Sequence, residues 1–400
     1  MTWPMVKIKD IFDVARGGSP RPIDAFLTDA ENGVNWIMIG DTKEGGKYIE
    51  KTAKKIKPEG VKNSREVKEG DFLLTNSMSF GRPYILKTSG CIHDGWLVLS
   101  PRTEKIHKDY FYYYLGSKEI KSTLASKAAG AVVKNLNKDI VKELEIPLPP
   151  LEEQKRIAEI MDKADAIRQK RQQAISLADD FLRSIFLEMF IRAADNWTVK
   201  TIEYIADKGK GGLRTGPFGS HLLHSEFVDS GIPVLGIDNA VENSFKWGKA
   251  RFITEEKYKS LSRYTVHPGD VLITIMGTCG RCAVVPDDIP TAINTKHLCC
   301  ISLDYKKALP EFLHSYYLFH PMSRQYLAKV TKGAIMDGLN MGLIKTMPFP
   351  MVPIKLQEKY VEIKMNVLSS LDKQHLSESY QEDIFNSLSQ QFFVGKCLTA

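Results

Sequence analysis

The sequence predicts an α+β protein in which two similar globular α/β domains are joined by two long antiparallel coiled-coil helices. First, the chain of 400 residues repeats itself at a spacing of about 200 residues. Second, each copy begins with short apolar runs separated by Gly, Pro, Asn and Asp, which is typical of strands linked by turns. Third, each copy ends in about 40 residues that contain neither Gly nor Pro, as a long helix requires.

The composition is that of a globular protein and excludes several other classes. Apolar residues make up 43% and charged residues 26% of the chain, so a sizeable core is expected. The longest apolar run, 271–279, is far below the roughly 20 residues of a membrane span. The first ten residues lack the apolar core of a secretory signal, and the six cysteines form no disulfide pattern. We therefore expect a reduced, cytoplasmic protein without a membrane anchor.

An internal repeat covers most of the chain. Residues 67–82, VKEGDFLLTNSMSFGR, align without gaps to 266–281, VHPGDVLITIMGTCGR, and seven of the sixteen positions are identical. Upstream, residues 33–37 match 231–235 at a spacing of 198 residues. Downstream the spacing has grown to 203 residues, and Gly130, Leu136, Asn137, Pro147, Pro150 and Gln154 match Gly333, Leu339, Asn340, Pro350, Pro353 and Gln357. The two halves are therefore predicted to share one fold.

Within each copy the elements follow in the same order. The clearest strands are 72–75 and 271–274, where β-branched and aromatic residues follow a Gly-Asp turn. Aromatic runs at 110–115 and 312–318 predict a helix that packs on the strands. Prolines then end the domain, and the long helix follows. These signals predict domains at 1–150 and 195–353, with helices at 151–194 and 354–400.

The first long helix has an apolar seam with heptad spacing. One row repeats every seven residues and a second row follows it three residues on: Ile157, Ala164, Arg171, Ala178 and Ile185, with Ile160, Ile167, Ala174 and Phe181. The second helix keeps the spacing at Tyr360, Ile363, Val367, Ile384 and Leu388, but it has Gln374, Ser377 and Gln381 in the seam, which predicts a weaker coil. The narrow seam favours antiparallel pairing of the helices. The alternative is that each helix packs on its own domain.

The net charge of +7 is concentrated in the globular domains. Residues 151–194 hold eight basic and eight acidic side chains, and residues 354–396 hold five and six. The other residues hold 42 basic and 34 acidic side chains, which is a surplus of +8. Because basic groups that neutralise phosphates release counterions, this surplus predicts that the domains bind nucleic acid. The nearly neutral helices are left for protein partners.

Motifs for catalysis are missing from the sequence. It contains no phosphate-binding glycine loop, no serine nucleophile elbow and no HExxH metal motif. The residue types of a zinc site occur in the second copy, at Cys279, Cys282, His297, Cys299 and Cys300. The aligned positions of the first copy hold Phe, Pro and Trp, which cannot bind metal. We therefore expect buried thiols there, and neither a metal nor a catalytic site.

The candidate DNA-contacting residues lie in loops after the matched strands and in basic clusters. Amide, hydroxyl, imidazole and guanidinium groups at loop tips are suited to base edges, and lysine and arginine to phosphates. The first copy offers Arg16, Arg21, Lys43, Lys47, Asn76, Ser77, Ser79, Arg82, His93 and Trp96. The second copy offers Arg214, Lys246, Lys249, Arg251, Thr278, Arg281, Asn294, Lys296 and His297. Because Arg82 and Arg281 occupy the same position, we expect them to have a common phosphate-binding or structural role.

The most specific motif lies at the junction between the first domain and its helix. Residues 146–157, IPLPPLEEQKRI, together with the Gly-Asp-x-Leu-x-Thr strand and its later Gly-Arg, resemble the DNA-specificity (S) subunits of Type I restriction–modification enzymes. The second junction, FPMVPIKLQEKY at 349–360, departs from this motif because it lacks the double proline and the acidic pair. The resemblance extends over both copies and both helices.

The resemblance implies two target recognition domains, each reading one half of a split site on double-stranded DNA, and helices that fix the spacing. It implies that the helices dock two methylation (M) subunits, which bind S-adenosylmethionine and modify adenine. Restriction (R) subunits would join this core, with ATP and Mg²⁺ also bound by the partners. The chain itself would bind no cofactor and catalyse no reaction. The alternatives are the specificity subunit of a Type IIB system, which has the same architecture, and a nuclease that acts on DNA alone.

Overall fold

The computed structural model describes residues 3–43, 45–76, 81–129, 136–192, 197–331 and 338–393. Within these ranges, the side chains at 128–129, 192, 210, 331 and 372–384 are not described. The chain divides into two units, one made of residues 1–173 and 374–400 and the other of residues 174–373. Each unit thus combines one globular domain with segments of both long helices.

The first domain contains two five-stranded sheets and a two-stranded ribbon among its described residues. Its strands are β1 (Met5–Lys7), β2 (Phe12–Arg16), β3 (Leu27–Thr28), β4 (Val34–Ile37), β5 (Tyr48–Ile49), β6 (Lys54–Ile56), β7 (Arg65–Val67), β8 (Phe72–Thr75), β9 (Pro83–Leu86), β10 (Gly90–Ile92), β11 (Trp96–Pro101) and β12 (Glu145–Pro147). Its helices are α1 (Ile8–Ile11), α2 (Pro58–Val61), α3 (Lys108–Gly116), α4 (Lys118–Ala129) and α5 (Lys138–Lys142), and the long helix α6 (Leu151–Leu187) follows. The sheets have the orders β3-β6-β4-β10-β7 and β2-β11-β8-β9-β5, and β1 pairs with β12.

The second domain repeats this plan with four-stranded sheets. Its strands are β13 (Val199–Thr201), β14 (Leu213–Thr215), β15 (Ile232–Leu235), β16 (Phe252–Ile253), β17 (Thr265–Val266), β18 (Val271–Thr274), β19 (Cys282–Val284), β20 (Ala292–Asn294), β21 (Leu298–Ile301) and β22 (Pro348–Pro350). Its helices are α7 (Ile202–Ile205), α8 (Glu255–Leu261), α9 (Pro310–Phe319), α10 (Pro321–Thr331) and α11 (Met341–Thr346), followed by α12 (Ile354–Phe393). The sheets have the orders β16-β15-β20-β17 and β14-β21-β18-β19, and β13 pairs with β22. The predicted α+β fold of two repeated domains and two long helices is confirmed.

Strand β8 is buried on both faces, which explains why its sequence is apolar without alternation. Because successive side chains of a strand point to opposite faces, Phe72 and Leu74 pack in the core that contains α3, while Leu73 packs in the core between the two sheets. Strand β18 has the same arrangement, with Val271 and Ile273 on the helical side. The middle sheet of each domain therefore connects the helical layer to the other sheet.

A buried glutamine joins α6 to the first domain. Gln154 has no exposed surface, and its side-chain oxygen accepts a hydrogen bond of 2.9 Å from the backbone N–H of His107, just before α3. Its side-chain amide donates to the carbonyls of Lys105 at 3.0 Å and Pro149 at 2.8 Å. One side chain thus holds together the start of α3, the proline junction and the long helix.

The second domain has the same arrangement at Gln357, which is also fully buried. It accepts from the N–H of Leu309 at 3.0 Å and donates to the carbonyls of Lys307 at 3.1 Å and Val352 at 2.8 Å. We call this set of three bonds the glutamine clamp. It is present in both copies although the surrounding junction sequences differ.

The buried face of α6 differs in one respect from the predicted seam. The row that repeats every seven residues from Ile157 is buried or half-buried, as predicted. The second row agrees only in part, because Ile160 and Ala174 are half-buried whereas Ile167 and Phe181 are 44% and 47% exposed. Near both ends of that row the buried side chain is the next residue along, Met161 and Leu182. A helical face alternates steps of three and four residues, so either neighbour can fall on the buried side.

The seam of α12 is described only in part. Tyr360 is buried, and Ile363, Val367 and Leu388 are half-buried, in agreement with the predicted row. The side chains of the polar interruption, Gln374, Ser377 and Gln381, and that of Ile384 lie outside the described residues.

The end of each long helix completes the core of the other helix's domain. In the first unit Phe393 of α12 packs against Tyr110 and Tyr114, with ring centroids 5.7 and 5.3 Å apart. In the second unit Phe186 of α6 packs against Phe312 and Tyr360, at 5.7 and 5.2 Å. Each helix therefore begins on its own domain and ends in the core of the other domain.

Cation–π contacts give the direction of the two helices within the first unit. The guanidinium of Arg156 lies 5.7 Å from the ring of Phe392, and that of Arg168 lies 5.5 Å from the ring of Phe385. Residue numbers rise along α6 as they fall along α12, so the two segments are antiparallel there.

Replacement of Gln154 by Ala should destabilise the first unit by about 3 kcal/mol, because one buried N–H and two carbonyls lose their partner. Urea unfolding of the full chain measures this change. Gln172, which is exposed on the same helix, provides the matched control, and Gln172→Ala should change the stability by less than about 0.5 kcal/mol. Equal effects of the two substitutions would contradict the role given to the clamp.

Candidate nucleic-acid interface

Three separate segments of the first domain meet at the carboxylate and carbonyl of Asp94. The loop 93–95 joins β10 to β11, and the carbonyl of Asp94 accepts bonds from Asn76 Nδ2 at 2.7 Å and Arg16 Nε at 3.2 Å. Its carboxylate accepts from Ser19 Oγ at 3.0 Å and lies 3.6 Å from the guanidinium of Arg21. Strand ends that are far apart in the sequence are thereby brought into one loop cluster.

The electrostatics of this cluster favour a neutral histidine beside a charged carboxylate. Burial lowers the pKa of His93 below its usual value, against the opposing charge of Asp94. Burial works to raise the pKa of Asp94, but the Ser19 hydroxyl, the backbone and the charge of Arg21 lower it. His93 Nδ1 accepts the N–H of Gly95 at 2.9 Å, which fixes the ring orientation and leaves Nε2 as the donor of the neutral ring.

The basic candidates of the first domain differ in their exposure. Arg16, Arg21 and Lys43 are exposed, and Arg21 keeps 82% of its side chain exposed. Arg82 is half-buried, with its guanidinium 5.3 Å from the ring of Tyr84. Exposed cations of this kind are available to phosphates.

Lys47, by contrast, is bound within its own domain. Only 10% of its side chain is exposed, and its ammonium lies 2.6 Å from Asp109 and 2.8 Å from Asp162 of α6. Burial works to lower its pKa, but the hydrogen bonds to both carboxylates raise it. We therefore assign Lys47 a structural role, which is to link its loop to the long helix, and leave it out of the proposed DNA contacts.

Asn76 and Trp96 also act mainly on the shape of the loops. Trp96 is fully buried and donates its indole N–H to the carbonyl of Ile37 at 3.2 Å. Asn76 is 3% exposed and supports the loop at Asp94. Ser77 and Ser79 lie outside the described residues.

In the second domain the basic loop is organised by Asp238. Its carboxylate lies 2.5 Å from the guanidinium of Arg251 and accepts the N–H of Lys249 at 2.5 Å. Burial works to raise its pKa, but Arg251 and the backbone of Lys249 lower it, so the carboxylate is charged. The side chains of Lys246 and Lys249 remain exposed, and Lys246 pairs with Glu242 at 2.5 Å. Asp94 and Asp238 were not among the predicted site residues, because a carboxylate gives no signal for binding a polyanion.

Two further loops lie side by side at the end of the β14-β21-β18-β19 sheet. The N–H of Ile275 donates to the carbonyl of His297 at 2.9 Å, which joins the loops 275–281 and 295–297. Thr278 and Arg281 are exposed, and the backbone around them is held by Thr274, whose hydroxyl bonds the carbonyl of Thr278 and the N–H of Arg281. The matching bond in the first domain joins Asn76 N–H to the carbonyl of Gly95 at 3.0 Å.

The other candidates of the second domain range from half-buried to fully buried. Lys296 and His297 are half-buried, and burial followed by the charges of Lys296 and Arg251 lowers the pKa of His297. Asn294 is fully buried and donates to the carbonyls of Thr295 and Leu298, so it shapes the turn. The predicted set thus separates into exposed groups and groups that hold the loops.

Arg214 belongs to the interior. It is 8% exposed, and its guanidinium lies 2.5 Å from the buried carboxylate of Asp270 and donates to Ser302 Oγ at 2.9 Å. It also donates to the carbonyl of Thr265 at 2.6 Å. These donors are engaged within the domain, so we assign Arg214 a structural role and leave it, too, out of the proposed DNA contacts.

Three thiols of the second domain, those of Cys282, Cys299 and Cys300, are buried as expected, on β19 and β21, which lie on either side of β18. Cys279, in the loop 275–281, is only half-buried, so the expectation of a buried thiol there is wrong. Burial raises the pKa of Cys282 and Cys300, and it raises the pKa of Cys299 to about 12. The described part of the chain contains no group of three or more His, Cys, Asp and Glu side chains placed to hold a metal ion.

Comparison with known proteins finds a family match over the first part of the chain. Residues 1–177 match the family described as Type I restriction modification DNA specificity domain. The match spans the first domain and the first part of α6, and the internal repeat gives the second domain the same plan. The resemblance to Type I specificity subunits found in the sequence is thereby confirmed.

Relatives along the whole chain agree with this family. The MjaVIII specificity subunit of Methanocaldococcus jannaschii is 22% identical, and the match covers 98% of this chain and 92% of the relative. The EcoBI specificity subunit of Escherichia coli is 24% identical over 73% of this chain and 64% of its own length. The S subunit from M. genitalium has a similar fold, with a TM-score of 0.56 at 16% identity, covering 98% of this chain and 96% of that structure. Among the described helices, none is long and apolar enough to cross a membrane.

Two arginines that look alike in the sequence should behave differently in this specificity-domain fold. Arg214→Ala should destabilise the second unit by about 3–5 kcal/mol, because it leaves the buried carboxylate of Asp270 without its partner. Arg281→Ala should change the stability by less than about 0.5 kcal/mol, because its side chain is exposed. Thermal unfolding of both variants measures the difference. Similar stabilities would show that Arg214 has no structural role.

Proposed function

We propose that the chain is the DNA-binding specificity subunit of a Type I restriction–modification complex, in which each domain reads one half of a bipartite site on double-stranded DNA. The observation that carries this proposal is the duplication itself. Two domains of one fold each present basic and polar groups on loops at the ends of equivalent strands. A protein with two similar readers is suited to a site with two separated halves.

Within each domain the exposed cations supply the affinity that does not depend on sequence. Arg16, Arg21 and Lys43 serve the first half-site, and Lys246, Lys249 and Arg281 serve the second. Phosphate contacts of this kind position a protein on the duplex and carry no sequence information themselves.

The polar groups at the loop tips are the candidates for reading bases. His93, with its fixed ring, offers one donor, and Thr278 and His297 offer hydroxyl and imidazole groups at the corresponding end of the second domain. Groups that are held by the fold keep their hydrogen-bonding directions, as direct readout in the major groove requires. The difference between the two loop sets is consistent with two different half-sites.

The long helices set the spacing and dock two methylation subunits, with restriction subunits joining that core. In support, α6 exposes large apolar side chains that its own domain leaves uncovered, namely Ile167, Leu177 at 68% and Phe181. The chain itself is non-catalytic. S-adenosylmethionine, ATP and Mg²⁺ act in the partner subunits, and the complex works in the cytoplasm. A Type IIB complex would use the same chain with different partners.

The phosphate contacts can be tested through the salt dependence of DNA binding. In the assembled complex, the triple variant Arg16→Ala, Arg21→Ala and Lys43→Ala should reduce the slope of log affinity against log salt by about 3, since each lost phosphate contact contributes about 0.9. The matched control removes three other exposed lysines, Lys105, Lys118 and Lys127, and should leave the slope unchanged. An unchanged slope in the first variant would place the phosphate contacts elsewhere.

Methylome sequencing of a host that carries the whole system can test whether the domains read the half-sites and the helices set the spacing. Exchange of residues 1–146 for those of another specificity subunit should change one half-site and leave the other half-site and the spacing intact. Deletion of the heptad 163–169 in α6 should change the spacing and leave both half-sites intact. A changed half-site in the deletion variant would contradict the proposal, and so would cleavage of DNA by the chain alone with Mg²⁺.

A further inference from the structure

A cleft of about 670 Å³ lies in the first domain beside a buried carboxyl group. Asp71, at the start of β8, is 2% exposed and lines the cleft together with Asn35, Lys55, Glu66 and Ser100. One carboxyl oxygen of Asp71 accepts the N–H of Lys68 at 2.9 Å, while the other, Oδ1, is buried without a hydrogen-bond partner. An unsatisfied buried carboxyl oxygen is costly, so a native fold that keeps one calls for an explanation.

The second domain shows what this site accommodates. There the equivalent carboxyl group is Asp270, and the guanidinium of Arg214 fills the space beside it. Arg214 bonds three acceptors, which are the Asp270 carboxylate, Ser302 Oγ and the carbonyl of Thr265. Ser302 Oγ in turn donates to the second oxygen of Asp270 at 2.6 Å, so both carboxylate oxygens are satisfied.

The first domain keeps all three acceptors at the same positions. The ungapped match of 67–82 with 266–281 pairs Asp71 with Asp270. One residue before that match, Glu66 aligns with Thr265, whose backbone carbonyl is the second acceptor. Strand register supplies the third pair. Trp96 lies opposite Thr75 of β8, and Leu298 lies opposite Thr274 of β18, so these two residues are equivalent. Four residues further along the chain, Ser100 is therefore equivalent to Ser302.

What the first domain lacks is the arginine. In the second domain, Arg214 of β14 lies opposite Cys300. The residue equivalent to Cys300 in the first domain is Val98, and Ala15 of β2 lies opposite it. Ala15 therefore occupies the position of Arg214. Lys55 and Lys68 line the cleft, but neither forms an ion pair with Asp71 within the described chain. The cleft thus has the acceptors for a guanidinium group and no side chain of its own that supplies one.

We propose that this cleft is a binding site for a guanidinium group that comes from outside the domain, either a small molecule or an arginine side chain of a partner. A planar guanidinium offers donors in the directions that the three acceptors require, as Arg214 demonstrates in the repeat, whereas an ammonium group is a compact charge without that geometry. The inference is independent of the proposed DNA-binding function, because the cleft residues are not among the proposed DNA contacts.

Methylguanidinium chloride is the probe, added to the full chain at constant ionic strength with sodium chloride as the reference salt. Near saturation it should raise the melting temperature by about 2–4 °C. It should also slow amide hydrogen exchange at 65–71 and 98–101. Both effects should disappear in Asp71→Asn, which removes the charge and keeps the shape. They should also disappear in Ala15→Arg, in which the domain supplies its own guanidinium.

The second domain provides an internal control for the same assay. In Arg214→Ala, methylguanidinium should also slow exchange at 265–270, because the substitution opens the equivalent site. If it protects the second domain of that variant but leaves the first domain of the wild-type chain unprotected, the proposal is wrong. Equal responses of the wild type and Asp71→Asn would also overturn it.

The assembled complex distinguishes the two sources of the guanidinium group. If a partner arginine occupies the cleft, residues 65–71 should be protected in the complex without the probe, and addition of methylguanidinium should change nothing. If the ligand is a small molecule, the complex should respond to the probe as the free chain does.

Discussion

The glutamine clamp at the base of each long helix is the contact on which the arrangement of the chain depends. A long helix attached only through a flexible proline junction could leave its domain in many directions. Gln154 and Gln357 remove that freedom, because each ties the helix to the backbone on both sides of it with three buried hydrogen bonds. The direction in which each helix leaves its own domain is thereby set by that domain.

Much of the fold could be predicted from the sequence because the repeat gives each pattern twice. The strands at β8 and β18 and the helices α3 and α9 lie where their apolar runs indicated. The row of α6 that starts at Ile157 was predictable, but the phase of the second row was not. Apolar residues lie at neighbouring positions of the helix, and only contacts with the domain decide that Met161 is covered and Ile167 is exposed.

The candidate site was predictable in its location and much less so in the role of each residue. Composition placed the basic surplus on the domains, and loop position selected groups that do lie at the ends of equivalent strands. The roles of Lys47 and Arg214 depend instead on partners more than 50 residues away in the sequence, Asp109 and Asp162 for one and Asp270 for the other. An arginine beside a buried aspartate and an arginine open to solvent have the same appearance in a sequence without coordinates.

Because each long helix ends in the core of the other helix's domain, synthesis on the ribosome determines which core can be completed first. The second unit, residues 174–373, is continuous in the chain and has all its core side chains once that segment has emerged. The first unit needs Phe393, which is made after the whole of the second unit, to cover Tyr110 and Tyr114. Vectorial folding usually favours the amino-terminal domain. In this chain the domain that is synthesised first must be the last to complete its core, and until then its aromatic face is open to chaperones or to another nascent chain.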